Sequence, residues 1–267
     1  EWGWARDAGA GGARAGGDAG GGRSAWVVRA SLGWARYVWR AGLRETEEVE
    51  TGGLCDRIVA RGQLAGVAVP APLGGELARY LKLLLRWNER MNLTGLTDDD
   101  AGIDRLLVEP LVATRWLSAG PLRLVDIGSG GGSPAVPIRL MRPDVRLWMV
   151  ESKSRKAAFL REAVRHLALT GASVEARRYE EFAAGLDEGD RADVVTVRAV
   201  RLDEAGFKSL GGLLGDGGRL FLFEGQETGR TDGAAVGFEV EGTFPLVEGL
   251  QSRLSVWRRG DQKTKMI

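Results

Sequence analysis

The sequence predicts an α/β fold: a mostly parallel, twisted sheet with helices on both faces, an antiparallel edge at its C-terminal end and a small helical region in front. Three observations predict it. From Leu122 onward short apolar runs alternate with segments of helical periodicity, the pattern of strand–helix–strand units whose strands lie parallel. A glycine turn, Gly128-Ser129-Gly130-Gly131-Gly132, separates the first of these runs from the next helix. The last two runs, Phe238–Glu241 and Arg253–Trp257, follow each other without a long helix between them, as in a hairpin closing one edge.

Residues 1–24 are blocks of glycine and alanine with scattered Arg and Asp, and little is apolar apart from Trp2 and Trp4. Such a segment cannot bury enough surface to offset its ordering entropy, so disorder is expected. The start at Glu1 suggests that the natural first residue is missing or the start misassigned. No apolar core precedes a small-residue cleavage site, so a signal peptide is not evident. Residues 25–44 mix aromatics and arginines at loose helical spacing. They read as a poorly structured extension, with a basic arm against RNA or membrane as the alternative. Residues 1–44 are thus expected to be a disordered or non-native extension.

A helical region is expected over 45–120. Its first helix covers about 45–65, and a linker Val69-Pro70-Ala71-Pro72 follows. A strong helix runs from Gly75 to about Asn88, with Leu77, Tyr80, Leu81, Leu84, Leu85 and Trp87 as its apolar stripe. Thr97 is placed to cap the next helix, with Asp98, Asp99 and Asp100 favourable at its N-terminus. That helix covers about Ala101–Ser118, interrupted at Pro110.

The main domain is expected over 121–260, with a tail at 261–267. Leu122–Ile127 and Leu147–Val150 are its first two strands, and Ser152–Leu160 opens a helix whose apolar positions 159, 160, 163, 164 and 167 share one face. Ser173–Ala176 is a short strand, and Arg177–Phe182 lies at the top of the sheet. Asp193–Val197 is a strand, four of its five residues apolar or β-branched. A helix follows over about Leu202–Leu214, then a turn at Gly215–Gly218 and a strand at Arg219–Phe223.

Composition narrows the functions. With 267 residues and 44% hydrophobic content, the chain can bury a substantial core. No apolar run approaches the roughly 18 residues a membrane span needs. One cysteine, Cys55, cannot close an internal disulfide, which suits a reducing, cytoplasmic setting. One histidine, His166, and one cysteine make a Cys/His zinc site implausible, so no metal is expected. His166 falls in a helix, where a surface or packing role is expected. The net charge of +1, from 37 basic and 36 acidic residues, leaves RNA binding to a local patch. A monomer is expected.

The glycine turn carries the chemistry. Glycines there let a ligand approach the backbone, and the following helix aims its open N–H groups at the same place. Glu151, closing the second strand, is placed to accept hydrogen bonds from a ribose. A nucleotide-type cofactor follows. The dinucleotide fingerprint G-x-G-x-x-G is not satisfied from Gly128 or Gly130, whereas Asp126-Ile127-Gly128-Ser129-Gly130-Gly131-Gly132 fits the D-x-G-x-G-x-G opening of S-adenosylmethionine methyltransferases. The methyltransferase reading is preferred; a dinucleotide enzyme and a merely flexible turn stay open.

Five segments, WNERMNLTGLT, VDIGSGGGSPAVPIRL, ESKSRKAAFL, EEF and DVVTVRAV, resemble in order and spacing the bacterial glucose-inhibited-division protein B family, over roughly Leu73–Trp257. Family members methylate N7 of a guanine in small-subunit (16S) ribosomal RNA with S-adenosylmethionine. The resemblance implies the Rossmann-like class I methyltransferase fold. It assigns Gly128 and Ser133 to the cofactor's methionine and ribose portion, Glu151 to the ribose hydroxyls, and Tyr179 and Glu180 to the adenine; Asp126 and Gly130, from the loop motif, are cofactor-binding candidates beside them. Arg198 matches the arginine of the family's S-R-A element, near cofactor and target base, and is the candidate catalytic residue, holding the base or a phosphate. The chain departs from the family at several positions: Ser133 stands where Phe or Leu is usual and Glu151 where Asp is more usual. Leu106 replaces a histidine, Glu224 a lysine, and Ala135 a glycine.

Guanine N7 is already nucleophilic, so the implied reaction needs alignment rather than a base. Candidate RNA contacts are Arg90, Arg105, Lys153, Arg155, Lys156 and Arg201, with Arg86 beside them. The basic start of the helix after Glu151 opposes the helix dipole, which a bound anion would rationalise. Alternative readings are a cofactor-binding module with lost or altered activity, and a methyltransferase for a small molecule or protein.

Overall fold

A computed structural model of the chain describes residues 52–225 and 237–260. The extension and basic arm expected over 1–44, the start of the first helix and the 261–267 tail lie outside the described residues.

Helix α1 (52–64) and α2 (Ala71–Met91) open the described chain. The linker expected around Pro72 is shorter than predicted. α2 already begins at Ala71, because a proline in the first turn gives up an N–H that would have no helical partner anyway. The next helical stretch comprises α3 (Asp100–Ile103), a π-helical turn (Asp104–Val108), α4 (Glu109–Ala113) and a 3₁₀ turn (Thr114–Trp116). Two expectations are corrected here. Asp99, not Thr97, caps α3, accepting from the Gly102 N–H at 2.7 Å, while the Thr97 hydroxyl donates to Asp99 at 2.9 Å. Pro110 does not interrupt the stretch, since the wider π turn before it removes the clash with the preceding turn.

Strands β1 (Leu122–Ile127), β2 (Val145–Val150), β3 (Ala172–Glu175), β4 (Ala192–Arg198), β5 (Leu214–Glu224), β6 (Phe238–Pro245) and β7 (Arg253–Arg259) form one sheet in the order β3-β2-β1-β4-β5-β7-β6. The first five run parallel, and β7 pairs antiparallel with both β5 and β6. α5 (Ala135–Met141), α6 (Ser154–His166), α7 (Tyr179–Ala184) and α8 (Glu204–Leu213) connect them. α7 is a helix that sequence reading left unassigned. The Gly215–Gly218 turn falls within the span of β5, where the register shifts against β4.

Residue alternation sends the two faces of the sheet into two cores. Leu122, Leu124, Leu147, Met149, Val194, Phe221 and Val256 pack with α2, α4, α5 and α6. Val125, Ile127, Val150, Val195, Val197 and Leu220 pack with α7 and α8, around Phe182, Phe207 and Leu210. The order of strands has one consequence for function. The chain leaves β1 toward β2 and β3, then returns to β4 on the other side of β1. The crevice above β1 and β4 is therefore the topological switch point, where open α/β sheets bind ligands.

Candidate functional site

Four elements meet above that crevice. The glycine loop leaves β1 with Gly128 and Ser129 both donating to the carbonyl of Val150, at 2.8 and 3.3 Å, which ties the loop to the end of β2. Gly128 has φ +66, and a Cβ there would lie 2.6 Å from Val200 Cγ2. Gly132 has φ +89, and a Cβ would meet Val136 at 3.0 Å and the Tyr80 hydroxyl at 3.2 Å. Conformation disfavours a side chain at both positions; space excludes one at Gly128 and is tight at Gly132. Below the loop, the Tyr80 hydroxyl donates to the Gly131 carbonyl at 2.6 Å.

Glu151 is buried and holds two backbone N–H groups. Its Oε2 accepts from Gly130 at 3.0 Å and its Oε1 from Lys153 at 2.8 Å, just before α6. Each oxygen keeps a lone pair for a ligand hydroxyl. Lys153 and Arg155 are exposed, Lys156 is half-buried, and the Lys156 ammonium comes to 3.8 Å of the position a Gly130 Cβ would take. The Glu151 carboxylate thus supplies a negative charge that the basic start of α6 otherwise lacks.

Asp126 stands opposite Thr196 in the β1–β4 register and accepts its hydroxyl on Oδ1 at 2.6 Å. Oδ2 is buried without a hydrogen-bond partner. Burial raises the Asp126 carboxyl to about 6 against the hydrogen bond from Thr196. An orphaned carboxylate oxygen beneath a glycine cradle, with a second carboxylate at its rim, fits a ligand carrying ammonium and ribose donors. These are the donors S-adenosylmethionine presents.

Arg198 ends β4. Its Nη1 donates to the Arg105 carbonyl at 2.6 Å and to Ser133 Oγ at 3.2 Å, and its Nη2 pairs with Glu109 Oε2. Its Cζ lies 5.5 Å from the centre of the Phe223 ring. Local structure explains why those carbonyls are available. In the π turn the Glu109 N–H donates to Asp104 and bypasses Arg105. Pro110 has no N–H for Leu106, whose carbonyl instead accepts from Ser133 Oγ at 2.8 Å. One irregular turn therefore frees two acceptors, and the site uses both.

Six of the eight predicted cofactor residues lie around this crevice. Asp126 lies near the end of β1, Gly128, Gly130 and Ser133 on the β1–α5 loop, Glu151 just after β2 and Arg198 at the end of β4. Tyr179 is the first residue of α7, half-buried against the second core, and Glu180 beside it is exposed. Arg90 and Arg201 are exposed and Arg105 is half-buried. Sequence reading missed Glu109, whose side chain is 0% exposed, and Ser252, which donates to Glu109 Oε1. The signal for Glu109 was a lone acid inside the apolar run Leu106-Leu107-Val108-Glu109-Pro110-Leu111-Val112; nothing local marked Ser252. The departures find partners: the Leu106 side chain is buried, and Glu224 accepts from Ser255 Oγ at 2.6 Å.

A glycine cradle at the switch point, a carboxylate closing β2 and a seven-stranded sheet with β7 inserted antiparallel define a class I methyltransferase. The fold compares with that of the cyclase SpnF, at TM-score 0.51 and 14% identity over 69% of this chain and 93% of that one. Residues 75–231 match the family model described as rRNA small subunit methyltransferase G. Two relatives called "Ribosomal RNA small subunit methyltransferase G" are similar to it. That of Xanthomonas oryzae pv. oryzae (strain KACC10331 / KXO85) is 42% identical over 56% of this chain and 68% of the relative. That of Xanthomonas campestris pv. campestris (strain B100) is 38% identical over 70% and 87%. The chain belongs to this family. It is a methyltransferase with S-adenosylmethionine as its methyl donor.

Proposed function

We propose that the chain methylates N7 of a guanine in 16S ribosomal RNA, in the cytoplasm and as a monomer. The observation that carries this reading is the meeting of the glycine cradle, Glu151 and Arg198 above β1 and β4, in a chain of the rRNA small subunit methyltransferase G family. Among the described residues no helix is long and apolar enough to cross a membrane.

The site's parts take the following roles. Glu151 accepts the two ribose hydroxyls while the Gly130 and Lys153 N–H groups hold its carboxylate in place. Asp126 Oδ2, orphaned in the buried floor, takes a donor from the methionine portion. Gly128 and Ser133 line the same portion, and Tyr179 and Glu180 flank the adenine. The bound cofactor supplies an electrophilic methyl group. Guanine N7 brings its own in-plane lone pair, so no side chain has to remove a proton first. The chain's work is alignment, exclusion of water and a fixed electrostatic setting. Arg198 holds the base or its phosphate, and Arg90, Arg105, Lys153, Arg155, Lys156 and Arg201 meet the RNA backbone.

The test is a deletion strain. Its 16S ribosomal RNA is expected to lack one N7-methylguanosine by mass spectrometry, and the purified chain is expected to restore it on that strain's small subunits with S-adenosylmethionine. An rRNA methylation map identical in parent and deletion strains rejects the assignment.

A further inference from the structure

Glu109 is a buried carboxylate in a place where stability does not explain it. It sits on α4 between apolar neighbours, wholly out of solvent. Both of its oxygens are used: Oε2 receives the Arg198 guanidinium and Oε1 the Ser252 hydroxyl, from the connection between β6 and β7. Taking two charges out of water costs about as much as their attraction returns, so an apolar pair of similar volume would serve the fold as well. What the pair does provide is direction. A guanidinium carries five N–H donors in a rigid plane. Three are accounted for by Glu109, the Arg105 carbonyl and Ser133 Oγ, which fixes the plane relative to the glycine loop and the π turn. The Arg105 guanidinium acts on Arg198 as a like charge, and the Glu109 carboxylate is the opposite charge that offsets it.

We propose that Glu109, braced by Ser252, is a positioning residue for methyl transfer: it holds the Arg198 guanidinium in the one orientation that the target nucleotide requires. The proposal rests on the methyltransferase reading above and deepens it. It predicts that the connection between β6 and β7 acts on the reaction through Ser252. It also predicts that the effect of changing Glu109 passes through Arg198 and through no other group.

The experiment uses the full chain, tritiated S-adenosylmethionine and small ribosomal subunits from the deletion strain. Wild type, Glu109→Gln, Glu109→Asp, Ser252→Ala, Arg198→Ala and the double variant Glu109→Gln/Arg198→Ala are compared. Glu109→Gln is expected to lower kcat about tenfold or more, with S-adenosylmethionine Kd by calorimetry within about twofold of wild type, because the cofactor cradle does not include Glu109. Glu109→Asp should recover part of the loss, and Ser252→Ala should lose a few-fold. In the Arg198→Ala background Glu109→Gln should have no further effect, as for two groups acting as one unit. An unchanged kcat in Glu109→Gln overturns the proposal, and so does an equal loss with and without Arg198. Should Glu109→Gln fail to fold, Ser252→Ala and Glu109→Asp decide alone, and wild-type kcat in both overturns it. A wild-type chain that methylates neither subunits nor free 16S RNA overturns the function reading, and the proposal falls with it.

Discussion

Asp126 is a carboxylate with one oxygen satisfied and the other buried without a partner. Its folded value, about 6, lies above the ordinary 3.8 because burial penalises the charged form. Between those two pH values the folded chain keeps a proton that the unfolded chain has released. The folded state is therefore favoured below about pH 4, loses that advantage as pH rises, and bears the full cost above about pH 6. The displacement corresponds to roughly 3 kcal/mol at most. Asp126→Asn is expected to stabilise the chain by about 1–3 kcal/mol at pH 7, with the gain vanishing toward pH 4. Urea unfolding of both chains across that range checks it; parallel curves would remove Asp126 from the account. At the same scale, Glu151→Ala should weaken S-adenosylmethionine binding by about 10–100-fold, since a hydrogen bond to a charged group is worth about 1.5–3 kcal/mol. Calorimetry showing a Kd within about twofold of wild type would exclude Glu151 from the cofactor site.

At the scale of elements, the helical region before β1 is part of the site's foundation. α2 carries Tyr80 and Leu84 beneath the glycine loop; the phenol bonds Gly131, and Leu84 lies 3.0 Å from where a Gly131 Cβ would stand. The Asn88 side chain accepts from the Leu93 and Thr94 N–H groups at 2.6 and 2.9 Å and folds the segment after α2 back toward the loop. Tyr80→Phe leaves the Gly131 carbonyl without this donor. It should cost about 1–3 kcal/mol in urea unfolding and weaken cofactor binding at the same time. Stability lost without any change in cofactor affinity would mean that α2 supports the core but not the loop. The apolar stripe of α2 was legible in the sequence because its period is local. That Tyr80 also carries a hydrogen bond to a loop 51 positions away was not, because burial and partnership are settled by what packs on the helix.

At the scale of the molecule, one continuous core runs from Leu54 on α1 to Val256 on β7. The helical region and the sheet thus share their packing. Charge is nearly balanced, at +1, so RNA binding depends on where cations gather rather than on their number. Six phosphate contacts by the proposed cations would make affinity fall several-hundred-fold between about 50 and 200 mM salt. The triple variant Lys153→Ala/Arg155→Ala/Lys156→Ala should reduce the slope of log affinity against log salt by about two to three. A slope equal to wild type would place the RNA elsewhere.

The sequence by itself determined the strand–helix alternation, the glycine turn after Asp126, the acid closing β2 and the antiparallel end, because each is written in neighbouring residues through side-chain period and backbone preference. Only the tertiary structure decided that Glu109, Arg198 and Ser252 form one unit. They lie 89 and 143 positions apart, and no local rule connects them. The same holds for Pro110, which in sequence reads as a break and in the fold leaves a carbonyl for Ser133. A pairing between distant residues depends on which elements pack together, and that is settled by the whole core.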